Sequence, residues 1–469
     1  MSHNSESDAA ASLNQPTINE SLSRLPSVNS KTSDLENEKQ TARLDAEKLP
    51  DDLLETEPRW WESKSLEDRP LDGWYAWSVV ISGCFMLMFS MGCVNSYGTY
   101  QTYYHLHQFP DEPLSNLAWV GTLQFAVMNI FGIPAGILCE RMDTRLVTFV
   151  GGVIMAVALI IASFCDSAPW KLILTQGIVF ALGAALVFVP STSIPSQWFT
   201  KRRALAIGIV VAGSGIGGLW LTPATRAMID QLGTGWALRI TGIIVFVVNS
   251  IASLFMRGRI KVKSREKIVD MSIFRDIRFI LICAGGTCGM CGYFTPFFSM
   301  PSFAEEIVGK SNSFGNNLLT VINAASTVGR IATGEVAAIF GTINTMVTCT
   351  FVAGLSILVL WLPFETTGTL IACAIIYGVF CGGFIGLIPV VLSELWGVHR
   401  ISTIIGLLYM ANFVGAMIGA PSSSGILDNI GHGTNFKPSI AFSGTFMVCG
   451  SLFFLGLRIA ADKNLFKKV

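Results

Sequence analysis

Residues 369–391 read TLIACAIIYGVFCGGFIGLIPVV and contain no Asp, Glu, Lys or Arg. A run of this length predicts a helix that crosses the hydrocarbon core of a bilayer, which needs about 20 apolar residues. Lipid tolerates only helices or closed barrels, and barrel strands alternate in polarity. Eleven more such runs have approximate cores at 76–96, 116–137, 146–165, 171–191, 203–222, 238–256, 278–299, 317–340, 345–362, 402–422 and 438–458. The sequence therefore predicts an all-α membrane protein with twelve transmembrane helices.

The overall composition agrees with this class. The 469 residues are 51% hydrophobic and 14% charged, whereas soluble domains are about 25% charged. Residues 1–70 hold 15 acidic and 8 basic side chains, while the other 399 residues hold 17 and 24. An acidic tail thus offsets a basic, apolar body, which excludes a nucleic-acid-binding protein, a secreted disulfide scaffold and an ordinary cytosolic enzyme. No metal or cofactor is expected, because the CxxC of Cys288 and Cys291 lacks a second pair of ligands.

The predicted segments divide into two similar groups. We expect a disordered acidic tail at 1–70, a six-helix bundle at 71–256 and a basic linker at 257–277. A second six-helix bundle follows at 278–458, with a short tail at 459–469. Two bundles of 186 and 181 residues predict pseudo-symmetric halves. In repeated transporters of this kind, the substrate site lies between the halves near the membrane midplane.

The placement of Lys and Arg predicts the orientation, because cytoplasmic loops carry an excess of positive charge. The loops after segments 2, 4, 6 and 10 are basic, and the loop after segment 6 alone contains eight Lys or Arg between Arg257 and Arg278. The loops after segments 1 and 9 contain none, although Arg226 and Arg239 flank the loop after segment 5. Both termini are predicted to face the cytoplasm, and the expected location is the plasma membrane.

A charged motif follows the second segment. It reads Gly136-Ile-Leu-Cys-Glu140-Arg141-Met-Asp143-Thr-Arg145, and it resembles the Gly-x-Leu-x-Asp-Arg-x-Gly-Arg-Arg signature of the major facilitator superfamily. The resemblance implies the major facilitator fold. Gly136 would allow close helix contact, and Glu140, Arg141 and Arg145 would act as a conformational latch at the cytoplasmic rim. Alternatively, the two arginines are only positive anchors of the loop.

Two further stretches resemble the signatures of the monocarboxylate transporter family, and the long acidic tail and Gln101-Thr-Tyr-Tyr104 after segment 1 resemble its fungal members. The first is Asp72-Gly73-Trp74-Tyr75-Ala76-Trp77, before segment 1. The second is Trp198-Phe199-Thr200-Lys201-Arg202-Arg203-Ala204-Leu205-Ala206-Ile207-Gly208, at segment 5. From the residues themselves, the aromatic side chains are interfacial anchors and the glycines allow tight helix packing.

Arg330 is the principal candidate for substrate binding. It lies inside segment 8, and a charged residue within a membrane is costly and by default faces a polar cavity. The resemblance aligns it with the arginine that receives the substrate carboxylate in monocarboxylate transporters, and its planar fork suits a bidentate anion. The alternatives are an interhelical salt bridge or an arginine that extends to the membrane rim.

The other candidate positions are polar or aromatic residues at a similar depth. Proton-coupled family members carry a Lys and an acid where this chain has Asn95 and Ser326. We therefore expect exchange, facilitated diffusion or weak coupling rather than strict proton symport. The remaining candidates are Asn323, Tyr293, Tyr377, Tyr409, Asn412, Gln124 and Asn129.

The sequence thus predicts a transporter of an organic acid or a related small metabolite by alternating access. An exporter of a secondary metabolite is the nearest alternative, because sequence does not set the direction of transport. A non-transporting nutrient sensor ranks lower. A membrane-embedded enzyme is not favoured, since no His lies within a predicted helix core. The expected partners are the small-molecule substrate and the lipid bilayer, with no nucleic acid, and the oligomeric state is left open.

Overall fold

The computed structural model describes residues 70–110, 114–165, 168–259, 271–398, 401–432 and 434–462. Most of the acidic tail, the central part of the linker and the last seven residues lie outside the described residues, so the expectations for them stay predictions. The described α-helices are α1 Trp74–Tyr103, α2 Leu114–Ile130, α3 Gly132–Arg141, α4 Thr144–Ala162, α5 Pro169–Leu172, α6 Phe180–Ser193, α7 Pro195–Trp198, α8 Arg203–Phe255, α9 Ile277–Tyr293, α10 Thr295–Glu306, α11 Asn312–Phe340, α12 Thr342–Ser356, α13 Thr367–Leu395, α14 Ile401–Asn429 and α15 Lys437–Ala461.

Each of the twelve predicted segments corresponds to a helix or to part of a broken one. Nine helices in the described part of the chain are long and apolar enough to cross a membrane, or ten when the bent pair α2 and α3 forms one span. The 53-residue helix α8 holds two predicted spans. The remaining predicted span is α11, which is not among these apolar helices and contains the polar residues Asn323, Ser326 and Arg330.

The breaks within spans have local causes. Helix α8 is interrupted at Gly233, whose φ of 79° is accessible to glycine at little steric cost. Helices α2 and α3 meet at a 42° bend, next to Pro134, which has no N–H to donate to the preceding turn. Pro296 similarly stands in the first turn of α10, directly after the break that ends α9. The sequence therefore allows these spans to bend without ending.

The helices pack as two related groups. In the first group, α1 and α4 pack along α8; in the second, α9 packs on α14 and α15, and α12 packs on α15. The two groups meet where α8 contacts α11 and α13, and where α3 and α6 contact α14. The architecture is thus the predicted pair of pseudo-symmetric helical bundles.

Most of the described basic loop residues gather at one end of the bundle, which we call the basic end. There, α1 begins beside the end of α8, since the Tyr75 hydroxyl donates to the Phe255 carbonyl at 3.1 Å. The Trp198 indole donates to the Arg257 carbonyl at 2.8 Å. In the second half, the Thr342 hydroxyl donates to Glu394 at 3.0 Å.

Candidate functional site

Arg330 lies at the interface between the halves, where α11 crosses the first part of α8. Only 7% of the residue is exposed. Glycines on α8 permit this approach, because a Cβ on Gly208 would collide with the Arg330 carbonyl oxygen. A Cβ on Gly215 would collide with Thr327, one turn of α11 before Arg330. The small residues of the second signature therefore bring the two halves together at the arginine.

The guanidinium of Arg330 is held by neutral groups of the other half. Its Nη1 donates to the Val211 carbonyl at 3.0 Å and to the Ser214 hydroxyl oxygen. That hydroxyl in turn donates to the Val211 carbonyl at 2.9 Å. The Arg330 Nε has no hydrogen-bond partner, and no carboxylate among the described residues forms an ion pair with it. The predicted alternative of an interhelical salt bridge is therefore not seen within the described part of the chain.

Aromatic side chains from α9 and α14 of the second half lie near Arg330. Tyr293 of α9 and Tyr409 of α14 both neighbour the guanidinium, as does Cys381 of α13. The Tyr377 hydroxyl donates to the Tyr293 carbonyl at 2.6 Å and so ties α13 to α9. Two predicted aromatic candidates, Tyr293 and Tyr409, thus lie near the predicted cation, and Tyr377 is connected to it through Tyr293.

The polar candidates on α11 lie on the same helix as Arg330. Ser326 is 1% exposed, and its hydroxyl has no hydrogen-bond partner. Asn323 is half-buried and donates to the Leu319 carbonyl of its own helix at 3.0 Å. Buried polar groups normally have a hydrogen-bond partner, so the unpaired atoms of Ser326 and Arg330 mark this stretch as a place that can accept a polar ligand.

Asn95 and Asn412 occupy different surroundings. Asn95 of α1 is exposed, and its amide donates to the Ser214 carbonyl at 3.4 Å, so it approaches the same serine as Arg330. Asn412 of α14 is 2% exposed and lies directly against Gly286 of α9, inside the second half. Both polar atoms of its amide are unpaired. Asn95 is therefore connected to the Arg330 site through Ser214, and the binding role of Asn412 stays a prediction.

Two of the predicted latch residues contact the other half at the basic end. A Cβ on Gly136 would lie 2.5 Å from the Ser402 carbonyl oxygen, so α3 and α14 are in backbone contact there. Glu140 accepts a hydrogen bond from the Thr403 amide at 2.9 Å. This amide belongs to the first turn of α14, where a carboxylate is favoured by the helix dipole. The Ser193 and Ser402 hydroxyls share a hydrogen bond of 2.7 Å beside it.

The other two latch residues face solvent. Arg141 is exposed. Arg145 pairs with Asp143 at 2.7 Å, and Asp143 also accepts from the Arg145 amide at the start of α4. These bonds hold the pKa of the Asp143 carboxyl below its ordinary value. The contact between the halves here is thus made by Glu140 and the first turn of α14, and the action of these residues as a latch stays a prediction.

The two family-signature stretches contact each other directly. Asp72 accepts from the Thr200 hydroxyl at 2.8 Å and from the Lys201 amide at 3.5 Å. Burial raises the pKa of the Asp72 carboxyl, but these hydrogen bonds outweigh it and lower the pKa overall. The Trp77 and Phe199 rings meet edge-on at 5.1 Å. The two motifs therefore connect the start of α1 to the start of α8. Of the other signature residues, Gly73 lies against Pro70, and Arg202 directly precedes α8.

Sequence reasoning did not single out Val211 and Ser214. They lie between Gly208 and Gly215 on α8, and Ser214 is 119 residues from Asn95 and 116 from Arg330 in sequence. The available signal was the run of small residues from Gly208 to Gly217, which predicts a close helix contact but not its partner. Among the described residues, no group of three His, Cys, Asp or Glu side chains could hold a metal ion.

Comparison with known proteins identifies the family. The model of the Major Facilitator Superfamily matches residues 79–334 and 282–464. The chain is 33% identical over 356 residues to the MFS-type transporter pynF of Aspergillus niger, covering 75% of this chain and 81% of the relative. It is 30% identical over 395 residues to the Aspyridones efflux protein apdF of Emericella nidulans, covering 84% and 80%. It is 28% identical over 410 residues to the Fujikurins efflux protein of Gibberella fujikuroi, covering 86% and 87%.

Solved structures agree on the fold. FucP, a superfamily transporter in its outward conformation, matches with a TM-score of 0.62 at 14% identity, over 81% of this chain and 99% of that chain. The human organic anion transporter MFSD10 matches with a TM-score of 0.64 at 11% identity, over 81% and 99%. These matches show the superfamily but do not distinguish the monocarboxylate transporter family within it, so that resemblance stays a prediction. The chain belongs to the major facilitator superfamily, and it is a membrane transporter rather than an enzyme.

Proposed function

We propose that this transporter exports an amphiphilic organic anion, such as an acidic secondary metabolite, and that Arg330 binds the anionic group. The observation that carries the proposal is the buried guanidinium of Arg330, whose hydrogen-bond partners among the described residues are neutral and whose Nε has no partner there. A buried charge is stabilised when it is paired. An incoming carboxylate or related anion would supply that pairing through two parallel hydrogen bonds.

The lining favours a substrate with a large apolar part. The guanidinium lies near the rings of Tyr293 and Tyr409 and the thiol of Cys381. A further aromatic ring, that of Phe297, packs against Tyr293 with the ring centroids 5.2 Å apart. Binding sites for small molecules are mostly apolar, with a few polar groups that fix orientation. The relatives named as efflux proteins for aspyridones and fujikurins support export over uptake.

The proposed orientation places the basic end in the cytoplasm of a plasma-membrane protein. Basic loops favour the cytoplasmic side. At this end, the halves are joined by the Glu140–Thr403 and Ser193–Ser402 contacts. In this arrangement the substrate site would be closed toward the cytoplasm, and export would require these contacts to break so that the substrate can enter.

We also propose that transport is not strictly coupled to protons. Asn95 and Ser326 have side chains that cannot carry a proton to and fro, and the guanidinium of an arginine does not release its proton in proteins. The site therefore has a positive charge, and no carboxylate among the described residues forms an ion pair with it. Glu394 lies at the basic end of α13, bonded to Thr342, and not beside Arg330.

The second candidate function is uptake of an organic acid by a transporter of the monocarboxylate type. The contact between Asp72 and Thr200 favours it, because it joins the two stretches that resemble that family's signatures. Both candidates use Arg330 for the anion. The direction of transport and the size of the substrate separate them.

The test is transport by the purified full-length protein in proteoliposomes. Three probes of matched size would be compared: 1-naphthalenesulfonate, neutral 1-naphthalenemethanol and 1-naphthylmethylammonium. We expect saturable transport of the anion and its loss in Arg330→Ala. The matched control is Arg226→Ala, since Arg226 is an exposed arginine that pairs loosely with Asp230 at 3.9 Å. Equal transport of the anion by Arg330→Ala and the control would refute the assignment.

A further inference from the structure

Ser214 is the point where three elements of the site meet. Its hydroxyl accepts from Arg330 of the second half and donates to the Val211 carbonyl of its own helix. Its carbonyl accepts from Asn95 of α1. Only 7% of Ser214 is exposed. One serine therefore contacts both Arg330 of the second half and Asn95 of α1.

We propose that Ser214 is a positioning residue that holds Arg330 against the first half in the empty transporter, and that the substrate anion displaces it. This inference rests on the proposed function and deepens it. The guanidinium Nη1 donates across the interface to Val211 and Ser214, so these bonds tie α11 to α8. Any movement that separates α8 from α11 at this level must break them.

The chemistry of the contact allows exchange between the two partners. A guanidinium donates to an anion through two parallel hydrogen bonds in which both partners are charged, whereas a hydroxyl offers it one uncharged acceptor. The Ser214 hydroxyl is a neutral acceptor, so an anion can compete with it, whereas a carboxylate at this position would hold Arg330 more tightly. When the anion takes over the donors of Arg330, the link between the halves is released at the moment the site is filled.

This arrangement has a kinetic consequence. The empty transporter keeps the link and moves slowly between its two conformations, whereas the loaded transporter has lost it. Exchange, in which both movements are loaded, should therefore be faster than net transport, in which one movement is empty. Removing the Ser214 hydroxyl should bring the rate of net transport closer to the rate of exchange, and it should also strengthen the binding of the anion.

The experiment compares Ser214→Ala with the unmodified protein in proteoliposomes, using 1-naphthalenesulfonate as the probe. We expect the KM for the anion to fall about tenfold, the lower end of the factor produced by losing one hydrogen bond to a charged group. The ratio of exchange to net flux should fall as well. Ser214→Thr, which retains a hydroxyl, should behave as the unmodified protein. The matched control is Ser253→Ala on the same helix, since Ser253 is buried and its hydroxyl donates only to the Ser250 carbonyl.

A second readout needs no substrate. Cys139 of α3 is 6% exposed and lies beside Ser402 of the other half, so its alkylation reports separation of the halves at the basic end. Labelling of Cys139 in the empty protein, read by peptide mass spectrometry, should be faster in Ser214→Ala than in Ser253→Ala. Unchanged KM, flux ratio and Cys139 labelling in Ser214→Ala would overturn the inference. Failure of the proposed function has a different signature, because the unmodified protein would then transport none of the anion.

Discussion

Replacing Gly136 by alanine should shift the transporter away from the conformation described above. The added Cβ would lie 2.5 Å from the Ser402 carbonyl oxygen and 2.9 Å from the Thr403 Cα. Both atoms belong to the backbone of α14, so no side-chain rotation can make room. Ordinary van der Waals contact begins at 3.4 Å, and α3 and α14 must therefore separate by up to about 0.9 Å.

The size of the effect follows from this overlap. Adding a methyl group to a well-packed contact costs about 1–3 kcal/mol. Only the conformation in which α3 touches α14 bears this cost, so the equilibrium should move toward the conformation that is open at the basic end. A change of this size corresponds to about a 5- to 150-fold shift in the population ratio. The Glu140–Thr403 hydrogen bond should be lengthened at the same time.

Alkylation of Cys139 measures this shift without any added label. The thiol lies one turn after Gly136 on α3, next to Ser402, and is buried in the closed contact. Labelling with N-ethylmaleimide, resolved by peptide mass spectrometry, should be at least several-fold faster in Gly136→Ala. The matched control is Gly425→Ala on α14, where a Cβ would meet nothing within 4 Å.

The control also separates packing from helix propensity. Alanine stabilises a helix over glycine by roughly 0.5–1 kcal/mol, so both variants gain the same local term. If Gly136→Ala labels Cys139 at the rate of Gly425→Ala and the unmodified protein, the close contact between α3 and α14 does not govern closure of the basic end. The reasoning that places the latch at Gly136 and Glu140 would then be refuted.

Three further predictions address the site, the signature contact and the energy source. Arg330→Lys should reduce anion transport at least tenfold with little change in thermal stability, because an ammonium lacks the planar fork; transport assays paired with unfolding temperatures check this, and normal transport would contradict it. Asp72→Asn should lower the free energy of unfolding by about 1 kcal/mol by weakening the bonds from Thr200 and Lys201. The pKa of Asp72 is lowered in the folded protein, so this stabilisation is present above about pH 4 and is lost as the pH falls through the folded pKa. The unfolding curves of the variant and the unmodified protein should therefore converge in acid. Finally, a protonophore should leave counterflow of the anion unchanged. Accumulation of the anion that collapses when the protonophore is added would contradict this and would point to the carboxylates Glu335 of α11 and Glu394 of α13 as proton carriers.

Much of the fold could be predicted from the sequence because the physical constraint is severe. A span must be long, apolar and helical, and all twelve predicted cores fall on helices or on the described parts of broken ones, although three cores extend one to three residues past a helix end. The helical conformation of residues 223–237 on both sides of the break at Gly233 was not predicted, since a glycine between two apolar runs is equally compatible with a loop. Helix content is set locally, whereas the way two spans join depends on packing.

The candidate site was predictable only in part, and for a related reason. Arg330 stood out because a charge inside a span is costly, and Tyr293 and Tyr409 are placed beside it. Ser214 carries no such signal, because a serine in a run of small residues is ordinary. Its importance comes from the contact between α8 and α11, which joins residues 116 positions apart. Sequence spacing on one helix cannot reveal which helix of the other half lies against it.

Uptake into inside-out membrane vesicles tests the central claim most directly, because it reads substrate charge, direction and the role of Arg330 together. Vesicles with the unmodified chain, Arg330→Lys or Arg226→Ala would be compared with the three naphthalene probes at matched protein levels. The account predicts saturable accumulation of 1-naphthalenesulfonate with the unmodified chain and Arg226→Ala, and little or none with Arg330→Lys. Equal accumulation of the anion with Arg330→Lys, or a preference for the neutral or cationic probe, would contradict it.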